Sequence, residues 1–363
     1  MPQHYNIPLF IPHLGCPFQC IFCNQNKIAS SRGVPAISDL TAIIDEYLST
    51  MADDSENIEI AFFGGSFTAI DHELQGKYLA AVQPYLKSGR IGSIRISTRP
   101  DYIDDRILSF LAGYGVKTIE LGVQSLCDEV LKASGRGYSR DDVFKASHHI
   151  KDRGFKLGLQ LMIGLPGDNY ERDLDSTRQA AALNPDLVRI YPTLVIADTP
   201  LESLFHEHKY VPLSLPEAVA VCKDMFLIFQ QQDINVIRMG LQPGEELRSP
   251  GAVVAGPFHP SFGELVEQEV FKEQAGMALG NYKEKAGLKP DLVLMVHEKD
   301  ISKMTGPRKS NLLFLKNEWQ LESLKVKAHP DLVRDTVAVA PASDSRPALI
   351  LIRKQFLLSK GQC

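Results

Sequence analysis

Three cysteines stand close together near the start of the chain, in Cys16-Pro-Phe-Gln-Cys20-Ile-Phe-Cys23. Three thiolates on one short loop can each take a corner of an iron–sulfur cube, because soft sulfur ligands suit such clusters and the spacing keeps them within reach of one centre. The cube's fourth iron is then left without a protein ligand and can chelate a small molecule. Zinc is the competing reading. A structural zinc site wants four protein ligands, and His13, just upstream, could supply the fourth. Cys127, Cys222 and Cys363 are isolated from one another, so neither a second Cys-x-x-Cys nor a disulfide framework is expected.

Composition bounds the setting. The 363 residues are 44% hydrophobic and 23% charged, a globular balance with room for one large domain and a smaller one. A formal net charge of -5 gives no bulk attraction to nucleic acid, although a local basic face could exist. The first residues carry no basic stretch followed by an apolar core, and no run approaches the roughly 18 apolar residues of a membrane span. A cytoplasmic protein with no membrane partner is expected, which suits a cluster that oxygen would destroy.

The elements that must position the cysteines alternate. A β-rich segment over residues 5–13 runs into the cysteine loop, and a helical pattern over 40–48, capped by Ser38 or Asp39, follows a Ser/Gly/Pro-containing stretch. Strands are predicted at 58–63, 91–97, 116–123, 155–163 and 187–191, with helices at 103–112, 141–151 and 171–183 and a further strand at 234–239. Such alternation implies parallel pairing and right-handed crossovers, hence an α/β barrel or an open doubly wound sheet. The barrel is favoured because every strand ends in a polar or glycine-rich cluster, and in α/β barrels these loops converge on one face. From about Gly251 the texture changes. A helix over 265–284 precedes three predicted strands, 291–297, 311–319 and 336–340, that lack the alternation. The expected architecture is thus a partial (β/α)6 barrel over 1–240, a connecting extension over 241–285 and a small α+β module over 286–363.

Candidate site residues sit at the strand ends. Gly64-Gly65-Ser66-Phe67 can bring backbone close to a ligand or simply form a tight turn. Ser97-Thr98-Arg99-Pro100-Asp101 offers two hydroxyls for a ribose and a guanidinium for a carboxylate; alternatively Asp101 caps a helix and Arg99 is exposed. Gln124 puts an amide inside the proposed mouth, as a ligand contact or a structural hydrogen bond. Arg136, in the loop Ser134-Gly135-Arg136-Gly137, could meet an anionic substrate or lie on the surface, and Gly164-Leu165-Pro166-Gly167 is a turn that could line a ligand pocket. His148-His149 falls within a helix and reads as surface. His259, Arg189 and Tyr191 are weaker candidates.

The spacing Cys-x3-Cys-x2-Cys, with Phe22 immediately before the third cysteine, resembles the signature of radical S-adenosylmethionine (SAM) enzymes. The resemblance implies that Cys16, Cys20 and Cys23 hold a [4Fe–4S] cluster and that SAM chelates the open iron. Reductive cleavage of SAM then gives a 5′-deoxyadenosyl radical that abstracts hydrogen. It also implies that Phe22 packs against the adenine, that Gly64 and Gly65 meet the methionine amino group, and that Ser66, Thr98, Arg99 and Gln124 complete the SAM contacts.

Over about residues 5–240, the segments Ser97–Asp101, Leu121–Ser125, Gly154–Lys156 and Ile190–Val195 look like the radical SAM domain of the elongator catalytic subunit family, which modifies wobble uridine in tRNA. That resemblance implies tRNA as substrate and an electron donor such as flavodoxin or ferredoxin. No acetyl-CoA-type glycine loop follows residue 240, so the family's acetyltransferase domain and its chemistry are not expected here. The cysteine spacing and Gly122-Val-Gln-Ser125 are also similar to oxygen-independent coproporphyrinogen oxidases, implying a small-molecule or porphyrin substrate as the alternative. A non-catalytic metal-binding module is the reading from another class.

Overall fold

The computed structural model of the chain describes residues 5–28, 35–51, 58–242 and 244–360. Cys363 and the Ser/Gly stretch at 29–34 lie outside these residues. The chain gathers into two compact units. Residues up to Ala218 together with Ile234–Pro260 form the first, and Val219–Asp233 with the residues from Ser261 onward form the second.

The first unit runs in the order β1 (Tyr5–Ile11), α1 (Gln25–Ile28), α2 (Ile37–Thr50), β2 (Ile58–Gly64), α3 (His72–Lys87), β3 (Ser93–Thr98), α4 (Asp105–Gly113), β4 (Val116–Gln124), α5 (Asp128–Ala133) and α6 (Arg140–Asp152). It continues through β5 (Lys156–Ile163), α7 (Tyr170–Ala182), β6 (Leu187–Pro192), β7 (Val195–Ile196), α8 (Pro200–His206), α9 (Leu215–Gln231), β8 (Asn235–Met239), α10 (Glu245–Arg248) and β9 (Val253–Ala255); α9 enters the second unit at Val219. Seven strands pair in parallel in the order β1-β2-β3-β4-β5-β6-β8, a partial (β/α) barrel. The strand suggested at 234–239 therefore joins the six expected ones, at the sheet's edge.

Local chemistry fixes where the helices begin. Asp71, Asp104, Asn169 and Thr199 accept backbone N–H groups at the starts of α3, α4, α7 and α8, and Ser139 with Asp142 forms a reciprocal capping box on α6. Two expected caps are corrected. The helix α2 starts after Ala36, leaving Ser38 and Asp39 inside its first turn, and Asp104 rather than Asp101 caps α4.

The strands have two unlike faces. Phe62 packs on Phe67 and on Tyr78 of α3, with ring centroids 5.0 and 6.0 Å apart, so alternation turns Glu59, Ala61 and Phe63 to the concave side. There Arg95 donates from Nε to Glu59 at 2.7 Å and from Nη1 to Glu120 at 3.4 Å; Thr118 donates to Glu59 at 3.0 Å, and Arg189 Nε lies 2.9 Å from Glu120. Two carboxylates and two guanidiniums, from β2, β3, β4 and β6, thus satisfy one another within the strands, leaving the C-terminal ends for the motif residues.

The second unit contains α11 (Phe262–Ala286), β10 (Asp291–Val296), α12 (Ile301–Thr305), α13 (Ser310–Glu318), β11 (Ser323–Ala328), β12 (Thr336–Pro341), β13 (Leu349–Ile352) and α14 (Arg353–Lys360). Its sheet has the order β11-β10-β12-β13, with β11 parallel to β10 and the other pairs antiparallel. Leu292, Leu294, Val337 and Val339 pack against Val270, Phe271, Ala275 and Leu279 of α11. The strand expected at 311–319 is instead α13. Its run of apolar residues carries no period of two: Asn311 and Leu315, four apart, are buried, whereas Leu313 and Phe314 are exposed. No described helix is long and apolar enough to cross a membrane.

Replacing Arg95 by Leu removes the guanidinium that bonds Glu59, a carboxylate only 2% exposed, while Glu120 keeps Arg189. Breaking such a buried pair costs about 3–5 kcal/mol. A urea titration of the Arg95→Leu variant should show its midpoint lowered accordingly.

Candidate active site

The cysteine loop leaves β1 and is fixed by its backbone to three other loops. Ser66 N donates to Leu14 O at 2.9 Å, Ile21 N to Ser134 O at 3.3 Å, and Leu201 N to Ile21 O at 2.9 Å. The glycines at the end of β2 explain the first of these contacts. A Cβ on Gly65 would lie 2.0 Å from Leu14 O, and one on Gly15 would lie 2.3 Å from Ser66 O, so only glycine lets the two backbones come so close. Gly64 adopts φ +105°, and its carbonyl accepts the side-chain amide of Gln25. The Gly-Gly pair thus makes room for the cysteine loop itself.

Cys16, Cys20 and Cys23 are free thiols on this loop. Burial, and then the neighbouring Cys20 thiol, push Cys16 above its ordinary pKa, while Arg136 and Arg99 pull it back. Burial pushes Cys23 up to about 12, with Cys20 and Cys16 adding to the shift. Such thiols give up their protons only to a strong electrophile, and iron is one. The donor set therefore fits a cluster, which Cys16, Cys20 and Cys23 would hold. Among the described residues no three His, Cys, Asp or Glu side chains converge as ligands of a single metal ion. His13, the fourth ligand the zinc reading needs, accepts the backbone N–H of Gln25 on its Nε2 at 3.0 Å and so helps close the loop.

Cys20 and Phe22 are buried beside Leu165 of the Gly164–Gly167 turn, with Val130, Val195, Leu201 and Tyr210 in the same apolar cluster. The hydroxyls of Ser66 and Thr68 meet that of Thr98 at 3.0 and 2.6 Å, tying the ends of β2 and β3 together. Thr98 is thereby engaged. Ser97, the other hydroxyl of the motif, has a buried Oγ with no hydrogen-bond partner among the described residues. Arg99 is buried, forked onto Asp101 at 2.9 Å through both Nε and Nη2, and its guanidinium lies over the rings of Phe18 and Tyr138 at 4.9 Å. It also donates to the carbonyl of Arg136 at 2.6 Å.

Gln124 closes β4 with φ +66°, next to a register shift between Gly122 and Gln124, and accepts from Gln160 at 3.3 Å. A left-handed conformation at a buried non-glycine residue is strained, and here the shift re-aims the amide at the strand's end. Arg136 is the largest departure from the sequence reading. It is 7% exposed and donates to Cys20 Sγ at 2.9 Å, Gly122 O at 2.6 Å and Tyr138 Oη at 2.8 Å. Nothing in a Ser-Gly-Arg-Gly loop marks its arginine as buried, although Gly135 and Gly137, both at positive φ, mark a sharply folded segment. His148 and His149 are exposed on α6, as expected. Arg189 donates to Tyr191 at 3.2 Å and lies over the Phe63 ring at 5.1 Å, on the concave face.

One feature was not anticipated from the sequence. Asp168, just after the Gly164–Gly167 turn, and Asp173 of α7 form a pair of interacting buried carboxyls. Burial, reinforced by the Asp168 carboxylate, pushes Asp173 up to about 10, and burial raises Asp168 as well. Two like charges in one buried space keep a proton between them. Because the folded value lies above the unfolded one, this pair's contribution to stability is complete below the ordinary carboxylate range and declines as pH rises toward about 10. Asp173→Asn should remove that decline: denaturant midpoints taken from pH 5 to pH 9 should move in the variant's favour relative to the parent as pH rises.

The comparisons agree with this geometry. A family model described as the radical SAM superfamily matches residues 10–179, and one for the radical SAM C-terminal domain matches residues 185–272. A tRNA uridine(34) acetyltransferase of Methanocaldococcus infernus is 30% identical over 245 residues, 57% of this chain and 46% of that protein. Human Elongator complex protein 3 is 31% identical over 199 residues, 48% of this chain and 36% of that protein. The chain thus spans less than half the length of these curated relatives. The solved structure of an N-terminally deleted Elp3 from Methanocaldococcus infernus superposes with a TM-score of 0.56 at 28% identity, covering 69% of this chain and 63% of that one. With three thiols on the loop after the first barrel strand and two matching models that together cover most of the chain, this protein belongs to the radical SAM superfamily of enzymes and is related to Elp3 through that protein's radical SAM part.

Proposed function

We propose that this chain cleaves SAM reductively at a [4Fe–4S] cluster held by Cys16, Cys20 and Cys23, and uses the resulting radical on a base in tRNA. The carrying observation is the gathering of three thiols, Cys20 buried and Cys16 and Cys23 half-buried, with two guanidiniums, those of Arg136 and Arg99, at one end of a parallel barrel. When bound, the cluster supplies the electron that breaks a carbon–sulfur bond of SAM, leaving hydrogen abstraction to the carbon radical so formed. The protein's own residues hold and shield. Phe22 and Leu165 keep water from the loop, and the Gly64-Gly65 backbone, Ser66, Thr98, Arg99 and Gln124 frame the space that SAM would enter. To these we add Ser97, because a buried hydroxyl without a partner calls for a polar ligand group.

The nucleic-acid substrate is supported by the relatives, which are named for tRNA uridine modification and cover the radical SAM part of this chain. An electron donor such as flavodoxin or ferredoxin and a cytoplasmic location accompany the reading.

Anaerobically reconstituted, dithionite-reduced protein should release 5′-deoxyadenosine from SAM, and Cys20→Ala should reduce that release to background while its circular dichroism stays folded. Added tRNA should bind at low salt and change the cleavage rate. Zinc without cleavage would defeat the whole proposal. Cleavage indifferent to tRNA would defeat the substrate alone and direct attention to small molecules, porphyrins included.

A further inference from the structure

The Arg136 side chain is built in, with no freedom to leave its place. Nη2 donates to the Gly122 carbonyl at 2.6 Å, Nε donates to Tyr138 Oη at 2.8 Å, and the guanidinium carbon lies 4.9 Å from the Tyr138 ring centroid. The flanking glycines make this possible. Gly135 and Gly137 hold φ +67° and +73°, and a Cβ on Gly137 would lie 2.8 Å from the Phe18 ring. What these anchors leave is Nη1, which points at Cys20 Sγ at 2.9 Å.

We infer that Arg136 is a positioning residue that sets the reduction potential of the cluster, by placing a fixed, buried positive charge and an N–H donor on the Cys20 thiolate. The inference rests on the cluster assignment proposed above. Reduction adds one electron, and so one negative charge, to a cluster already bearing three thiolates. A cation beside it stabilises the reduced form more than the oxidised form, and hydrogen bonds to the sulfurs and burial are established controls of cluster potentials. The magnitude is large because the site is dry. A charge pair in a low-dielectric surrounding interacts several times more strongly than the same pair in water. Arg99 also lies near the thiols, but its fork is neutralised by Asp101, whereas no described carboxylate pairs with Arg136.

The test is an anaerobic redox titration of the whole protein, followed by the electron paramagnetic resonance of the reduced cluster, with dithionite as the electron source. Arg136→Gln keeps a polar side chain and loses the charge. Its equilibrium constant for reduction should fall at least about tenfold, which for a one-electron couple places the midpoint about 59 mV lower. Arg136→Lys keeps the charge without the fork and should fall between the two. The titrations are run without SAM and repeated with it. A difference seen only in the presence of SAM would overturn the inference, because Arg136 would then act through the cofactor rather than on the thiolate. So would equal midpoints in fully loaded proteins, or loss of the cluster from both variants, which would make the role purely architectural. A parent protein that takes up no iron would overturn the cluster assignment itself, an outcome distinct from an unchanged midpoint.

Discussion

Charge taken out of water must be met by an opposite charge, by a proton or by a metal, and this constraint governs the barrel from one end to the other. Within the strands it is met by alternation: Glu59, Arg95, Glu120 and Arg189 come from four strands and cancel one another. Beside the β5 turn it is met by a proton held between Asp168 and Asp173. In the cysteine loop it is again met by protons, which the raised thiols hold. Three thiols crowd one another, and the cations within reach soften the repulsion without removing it. What remains is a site of three thiols that would release their protons to a metal and whose immediate surroundings are already cationic.

The position of that site depends on backbone more than on side chains. Leu14 O sits against Gly65, and Ile21 exchanges hydrogen bonds with the segments at Ser134 and Leu201, so one loop is gripped by the chain after β2, after α5 and in the first turn of α8. Distances in a cofactor site must hold to a fraction of an ångström, and a loop pinned ahead of its cysteine run and again within it can do this where a free one cannot. The seat of Arg136 belongs to the same construction. Ser134 O receives Ile21 N, and two residues later the guanidinium reaches Cys20, so a single turn holds both the backbone and the thiolate.

Much of this was legible before any coordinates. Strands such as Ile58–Phe63 and Leu187–Tyr191 are short apolar runs interrupted by one charge, and each ends in glycine or a polar cluster, which is enough to place the parallel sheet and its functional edge. The interrupting charges, Glu59 and Arg189, were the available signal for the concave network, since a lone charge in a buried strand needs a partner. Other features were hidden for identifiable reasons. Pro84 lies inside α3 and argues against a helix there, and the short apolar run of α13 fits a strand equally well by composition. By sequence Arg136 reads as a surface or substrate residue, since Ser and Gly around it signal an exposed loop; only long-range packing against Cys20 and Tyr138 reverses that.

The polar groups that the fold leaves unmatched constrain the ligand more tightly than those it matches. Thr98 and Ser97 are neighbours in one motif, yet Thr98 is consumed by Ser66 and Thr68 while Ser97 Oγ is buried and unpartnered among the described residues. Strand alternation puts Ser97 on the same side of β3 as Arg95, the concave side, two residues nearer the cysteine end. A buried hydroxyl left alone costs about 1–3 kcal/mol, so the concave face favours an occupant that brings a hydrogen-bonding group to that height of the barrel. Deeper in the barrel Arg95 and Glu59 are already satisfied and offer no such return. Polar recognition is thereby drawn toward the strand ends, where the thiols stand.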